Sequence, residues 1–258
     1  MANQYGERKG LDRTLELLWG DRRRPRRGPK PSLSVEQIVS AAVEVADDEG
    51  LAALSMQRVA KRLGFTTMSL YRYVPGKGEL IDFMLDAAFG RPPDPEDEAP
   101  NWRTKLERWA REEFAVYHRH PWALEVAIGS PAVGPNRIAW LEAALRAVSE
   151  TGLTEKEMLF VALLLTGYDR GAAQISLDVA QAERLTGISA EQWGPVFAQL
   201  MQKVIDDGRY PTLAGILAAG VFDEPYDAYQ DDFEFGLQRI LDGVAALVEA
   251  RSSRLDRW

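Results

Sequence analysis

Within twelve residues the chain sets out Thr66, Thr67, Ser69, Tyr71, Arg72, Tyr73 and Lys77. None of these is a nucleophile beside a base. They are hydrogen-bonding groups: an arginine presents paired donors that match an acceptor edge in two bonds, hydroxyls donate or accept, and a lysine is a mobile point charge. Such a set suits reading the edge of a base and gripping phosphate, provided that something rigid holds it in a groove. Ser55 and Gln57, a little upstream, add a hydroxyl and an amide.

The elements that must hold these groups are legible from caps and periodicity. Ser34 followed three residues later by Gln37 makes a capping box, so a helix begins there. Ile38, Ala41, Ala42, Val45 and Ala46 recur at helical spacing, and Asp47, Asp48, Glu49 and Gly50 end the segment. Ser55 opens a second helix with Met56, Val59, Ala60 and Leu63 inward and Gln57, Arg58, Lys61 and Arg62 outward. Gly64 takes the left-handed conformation that stops a helix and turns the chain. Thr66 caps a short third helix to Tyr73, with Met68, Leu70 and part of Tyr71 inward and Thr67, Ser69, Arg72 and Tyr73 outward. After the break at Val74, Pro75 and Gly76, a fourth amphipathic helix carries Leu80, Ile81, Met84, Leu85 and Ala88. Two short helices about a tight turn are the layout of a helix-turn-helix reader, although a three-helix bundle with no DNA target shares that spacing.

The stretch from Leu33 to Phe89 closely resembles the DNA-binding domain of TetR-family transcriptional repressors, with the turn Gly64, the pair Leu70 and Tyr71, and Lys77 in register. The resemblance implies base-facing roles for Thr67, Ser69 and Arg72. It implies phosphate contacts for Tyr71, Tyr73 and Lys77, and for Thr66 and Ser55 at helix starts; Tyr71 and Tyr73 also suit a core. The implied function is a ligand-responsive repressor that binds double-stranded DNA. The opposing reading is a small-molecule-binding helical enzyme or a scaffold without a DNA target. No nucleophile elbow, phosphate-cradling loop or zinc signature supports an enzyme.

Arg22, Arg23, Arg24, Arg26, Arg27 and Lys30 crowd together before this domain among Pro25, Pro29 and Pro31, which prevent a regular helix. The expectation is a flexible basic arm on DNA, against the plain alternative of a solvated charge run. Residues 1–30 carry nine Lys or Arg and four Asp or Glu, net +5, in a chain of net charge −8, which leaves −13 for the remainder. A basic end on an acidic body finds DNA by local field. A further short helix is expected within residues 11–19, with Leu11, Leu15, Leu18 and Trp19 on one side.

With 258 residues, 46% of them hydrophobic, the chain can form a small reader and a larger domain with its own core. It has no cysteine, so disulfides and thiolate metal sites are excluded. No apolar run of membrane-spanning length and no secretory leader is evident, and the expected location is the cytoplasm. The expected fold is all-α. Residues 1–32 form a basic extension, 33–90 a helix-turn-helix bundle, 91–100 a proline-rich acidic linker, and 101–258 a helical ligand-binding and dimerisation domain. Helices are expected from Trp102 to His118, briefly after Pro121, and over Pro135–Thr151, Thr154–Asp178, Ala190–Asp206 and Tyr229–Arg251.

In the last helix Phe233, Leu237, Ile240, Val244 and Leu247 trace a heptad-like seam, and the helix from Thr154 carries Gly167 and Gly171 one turn apart. Both features fit either a core or a homodimer interface. The segment FEFGLQRILDGVAALV resembles the final helix of tetracycline-repressor-type C-terminal domains, which implies a four-helix dimer interface. Trp102, Trp109, Phe114, Tyr117, Trp122, Trp140, Phe160 and Tyr168 suit core packing or the lining of a pocket for a small, mostly apolar effector. Asp169, Arg170, Gln174 and Asp178 are polar residues on a largely apolar helix, with Gln174 a candidate to orient that ligand. Tetracycline-binding relatives use histidine with a drug-bound magnesium ion, whereas the corresponding stretch WALEVAIG here offers Glu125 and no histidine. His118 and His120, two apart, do not share a helical face as metal ligands would, so no metal and no cofactor are expected.

Overall fold

The computed structural model describes residues 15–20, 33–93, 101–126, 134–205, 208–222 and 231–255, and among these the chain is helical with no strand. The basic arm and most of the linker lie outside the described residues. The described part of the first expected helix is a short turn at 15–19 that buries Leu18. The chain divides into two compact units, Met1–Ala162 and Leu163–Trp258.

The first unit begins with α1 (Val35–Glu49), a 3₁₀ turn at Leu51–Ala53, α2 (Met56–Leu63), α3 (Thr67–Tyr71) and α4 (Lys77–Phe89). Ser34 and Gln37 form the expected capping box. Ile38, Ala42 and Val45 of α1, Val59 of α2, Leu70 of α3 and Leu80 and Met84 of α4 are fully buried and make one core. Then come α5 (Trp102–Arg119), a 3₁₀ turn at Pro121–Glu125, α6 (Pro135–Val148) and the start of α7 (Glu155–Thr186). Helices α5 and α6 pack on each other and both touch α4.

Helix α6 is capped in an unusual way. It starts with Gly134 at the N-cap and Pro135 at the first position, so it has no capping side chain of its own. Asp86 of α4 supplies one: its Oδ1 accepts from the backbone N–H groups of Asn136 at 2.9 Å and Arg137 at 3.0 Å. Asn136 Nδ2 donates back to the Asp86 carbonyl at 2.9 Å. A carboxylate at a helix N-terminus satisfies orphan donors and the helix dipole together. Gly134 is required there, because a Cβ would overlap the Asp86 carboxylate.

The second unit holds the rest of α7, then α8 (Ala190–Val204), α9 (Pro211–Ala218) and α10 (Asp231–Leu255). Tyr168 and Phe233 stack with ring centroids 5.8 Å apart, and Phe197 meets Phe222 at 5.2 Å. Among the differences from expectation, two have a clear physical reason. Helix α7 runs past Asp178 to Thr186, because Val179 to Leu185 lose the apolar stripe without losing helix propensity, and it stops at Gly187 with φ +71°. Helix α9 was not expected: it is eight residues with little polar face, so periodicity has nothing to mark.

Replacing Asp86 by Ala leaves two half-buried N–H groups without their acceptor and should destabilise the protein by about 1–2 kcal/mol in urea denaturation. Asp86→Asn, which keeps an acceptor oxygen, should cost less, and equal losses from both would mean that the cap is not the source.

Candidate nucleic-acid interface

The reading helix is set by its turn. Gly64 ends α2 in the left-handed region, φ 73° and ψ 23°, and the Phe65 N–H closes on the Ala60 carbonyl at 2.9 Å. Five residues later Leu70 is fully buried, and Val74 behind it is too. These anchors turn Thr66, Met68, Tyr71, Arg72 and Lys77 outward and leave Thr67, Ser69 and Tyr73 half-buried at the edge of the same face. Ser55 and Gln57, at the start of α2, are exposed as well.

Two details, at Met68 and Thr66, differ from the sequence expectation, and Tyr71, expected either in the core or on phosphate, is partly exposed. Met68 is 74% exposed and not packed inward: it stands two residues from Leu70, about 200° around the helix, and one core cannot receive both. Tyr71, 44% exposed, is available to a partner. Thr66 occupies the N-cap of α3 but makes no capping bond, because its hydroxyl lies 2.9 Å from that of Ser69. The Ser55 hydroxyl, by contrast, accepts from the Arg58 N–H at 3.1 Å.

The acidic run that was expected only to end α1 is a set of ties. Glu49 holds Arg58 at 2.6 Å, and Asp48 and Glu44 hold Arg62 at 2.9 and 3.1 Å. The hydrogen bond to Asp48, with further help from Glu44, raises the Arg62 pKa above its usual value. Asp47 accepts from Trp122 Nε1 at 2.7 Å and pairs with His120 Nδ1 at 2.9 Å. Two outward arginines of α2 are thus bound to α1, fixing one helix of the reader against the other. Lys61 of α2, Arg72 after α3 and Lys77 at the start of α4 are exposed cations. Arg24, Arg26, Arg27 and Lys30 lie outside the described residues.

Residues 38–83 match the family described as bacterial regulatory proteins, tetR family, and residues 94–248 match the tetracyclin repressor-like C-terminal domain. An HTH-type transcriptional repressor of Streptomyces coeruleorubidus, DrrR1, is 46% identical over 242 residues, covering 93% of this chain and 88% of that protein. The chain belongs to the TetR family. A second relative, an HTH-type transcriptional regulator of Saccharopolyspora erythraea, is 32% identical and is matched over 86% of its length. Among solved structures, ActR of Streptomyces coelicolor in complex with actinorhodin superposes with a TM-score of 0.68 at 27% identity, over 84% of this chain and 97% of that one. This TetR-family chain is a DNA-binding transcriptional repressor and not an enzyme.

The aromatic residues expected in the core or around a pocket differ in burial. Trp109, Phe114, Tyr117, Trp122 and Trp140 are buried core. Trp109 Nε1 donates to the Trp140 carbonyl at 2.9 Å, and Trp140 Nε1 donates to the carbonyls of Phe89 and Gly90 at 3.2 and 3.1 Å. Phe89 meets Tyr117 and Trp140 edge-on, and the Arg137 guanidinium lies 3.9 Å over its ring. These side chains grip the C-terminal end of α4. Trp102 is half-buried, while Phe160 and Gln174 are exposed, the latter donating to Asp178 at 2.8 Å. Burial of His118 lowers its pKa, and among the described residues no cluster could hold a metal ion.

Open grooves lie among the described residues. One of about 380 Å³ lies between α1 and α4 and includes His120 and Asn136. Another, about 430 Å³, is lined by Gly167, Tyr168, Gly171, Ala172, Ile175, Asp232 and Gly236. A third, about 270 Å³, includes Asp178, Glu183, Ile188 and Trp193, the last a residue that sequence periodicity did not single out. Of the expected ligand residues, Tyr168 lines the second groove. Burial raises the pKa of its hydroxyl, with the charges of Asp169, Asp232 and Glu234 acting in the same direction, and it donates to the Asp232 and Phe233 carbonyls, each at 2.9 Å.

The expected dimer seam on α10 is partly turned inward. Phe233, Leu237 and Val244 are buried within the subunit; Gly236 beside them lets α10 approach Tyr168 of α7, whereas Gly243 is exposed with open space around it. Ile240 is half-buried and Leu247 is at the edge, while Phe235 stands 67% exposed. Gly167 and Gly171 lie on the exposed side of α7 with Leu163, Leu164 and Ile175.

A Cβ at Gly236 would collide with the Tyr168 hydroxyl. Gly236→Ala should therefore cost about 1–3 kcal/mol by thermal denaturation, as overpacking does. Because the ring carbons of Tyr168 lie in the way as well as its hydroxyl, Gly236→Ala should cost less only in a Tyr168→Ala background, which removes the ring that it strikes.

Proposed function

We propose that this repressor binds a near-palindromic operator as a homodimer and releases it when a small, mostly apolar effector binds. The observation that carries the reading is the outward face of α3 and its flanks, a polar and cationic surface held rigidly by Leu70, Gly64 and the arginine ties of α2. Residues 33–90 would read DNA, residues 101–258 would bind effector and partner, 91–100 would join them, and 1–32 would add the basic arm. A helical enzyme or scaffold without a DNA target does not fit a member of this family.

Dimerisation is supported by apolar side chains left in water. Leu163, Leu164 and Ile175 on α7 and Phe235 on α10 are all more than half exposed, and a surface of that kind favours a partner of the same shape. The two recognition helices should then stand about 34–36 Å apart, one turn of B-DNA, or a small multiple or stretch of it. The effector reading is supported by ActR, whose solved complex holds actinorhodin. Movement of α5 or α6 on binding would reach the reader through α4, whose last turn is held by Trp140, Tyr117 and Arg137.

The test is mobility shift and footprinting with DNA upstream of the protein's own gene, together with a duplex selected from a random library. Arg72→Ala should cost about 1–3 kcal/mol on the preferred duplex and relax choice at one base position, whereas Lys77→Ala should weaken all sequences alike. Loss of affinity in both without a change of preference would remove Arg72 from the reading set. Deleting residues 1–30 should flatten the salt dependence of binding, and an unchanged slope would exclude the arm.

The effector is sought by titrating hydrophobic small molecules while following tryptophan fluorescence and operator release together. Tight binding that leaves DNA affinity unchanged would rule out coupling for that molecule.

A further inference from the structure

Met68 is the exposed aliphatic side chain of α3, at 74% against 44% for the amphipathic Tyr71, and no described residue covers it. Its setting is polar. Thr66 and Arg72 are exposed beside it, Thr67 and Ser69 flank it in sequence, and the hydroxyls of Thr66 and Ser69 are paired with each other at 2.9 Å. Leu70, two residues on, takes the only core-facing place that α3 offers to an aliphatic side chain.

An exposed methionine at the centre of a surface meant for a major groove has little to meet there. Base edges present donors and acceptors, and the one apolar feature is the C5-methyl group of thymine. Methionine suits that contact: it is unbranched, with a polarisable thioether and enough torsional freedom to reach a methyl group whose position depends on local helix geometry. We propose that Met68 reads the 5-methyl group of a thymine in each operator half-site and is a specificity-determining residue alongside Arg72. The inference rests on the DNA-reading role proposed above and assigns one base contact within it.

The probe is the highest-affinity duplex that the full-length protein selects from a random library, with each thymine replaced in turn by deoxyuridine. That replacement removes one methyl group and leaves base pairing intact. With the wild-type protein, one position per half-site should show a penalty of about fourfold, and about fifteenfold when both half-sites are changed, as expected for uncovering one methyl-sized group at each. In Met68→Ala the thymine duplex should bind more weakly, and deoxyuridine at that position should change affinity less than 1.5-fold. Penalties at thymines read by other residues should persist. Because Met68 is exposed, its replacement should leave the melting temperature unchanged, which separates a lost contact from a lost fold. An undiminished deoxyuridine penalty in Met68→Ala, or no penalised thymine in the wild type, would overturn the assignment while DNA binding itself stands. Failure to enrich any duplex would overturn the DNA-reading role and the assignment with it.

Discussion

Leu70 is the residue on which the reading surface depends. Helix α3 has five residues, far below the length at which a helix persists in water, so its direction is set by what its one buried side chain packs against. Gly64 fixes where the helix starts and Leu70 fixes how it is rolled, and together they decide which side chains reach outward. Arg72 and Met68 point away from the core because Leu70 points into it. A change of roll by one position would exchange readers for core residues, and the penalty for burying Arg72 without a partner would be large.

A surface fixed this way is useful only if α2 is fixed too. The acidic run at the end of α1 does that, since Asp48, Glu44 and Glu49 hold Arg62 and Arg58 across the helix pair. Each exposed pair contributes little alone. Their effect here is geometric: they fix α2 against α1 and pair two cations on its flank, and in the proposed reading Arg72 and Lys77 then define the approach to DNA. Asp47, the first residue of the same run, faces the other way and binds His120 and Trp122. Four acidic residues within the last six positions of α1 thus divide their charges between steadying the reader and tying it to the helices that follow.

What was legible in the sequence was local. Ser34 with Gln37, Ser55 and Gly64 act over three or four residues, so caps and turns could be placed from letters alone, and the family's turn and its Leu70–Tyr71 pair made the all-α repressor readable. Side-chain direction in a short helix was not legible for Met68, because periodicity needs more than one turn to choose between residues two apart. Long-range pairings left no trace at all. Asp86 and Gly134 are 48 positions apart, and nothing in either neighbourhood announces that one caps the helix the other begins. The aromatic residues showed the same limit: composition marked Trp109, Tyr117 and Trp140 as large apolar groups, whereas only packing distinguishes a pocket wall from a clamp on α4. The seam on α10 had the right period for a buried face, and period alone does not say whether the covering surface belongs to the same subunit.

That clamp sets the scale of any switch. To weaken operator binding a hundredfold, an effector must favour the DNA-free arrangement by about 2.7 kcal/mol. The end of α4 is joined to α6 by the Asp86 cap, by Trp140 Nε1 on two carbonyls and by Arg137 over Phe89, and to α5 by Tyr117 edge-on to Phe89. Hydrogen bonds and cation–π contacts of these kinds contribute on the order of 1 kcal/mol each. Redistributing two or three of them between two arrangements therefore supplies the required energy without unfolding any helix. Because the arginine ties keep α1 and α2 together and Leu70 keeps α3 in their core, a tilt of α4 would carry the reading face as a rigid body. In a dimer that read two half-sites, such a tilt changes their spacing, and spacing is the property that a fixed pair of major grooves tolerates least.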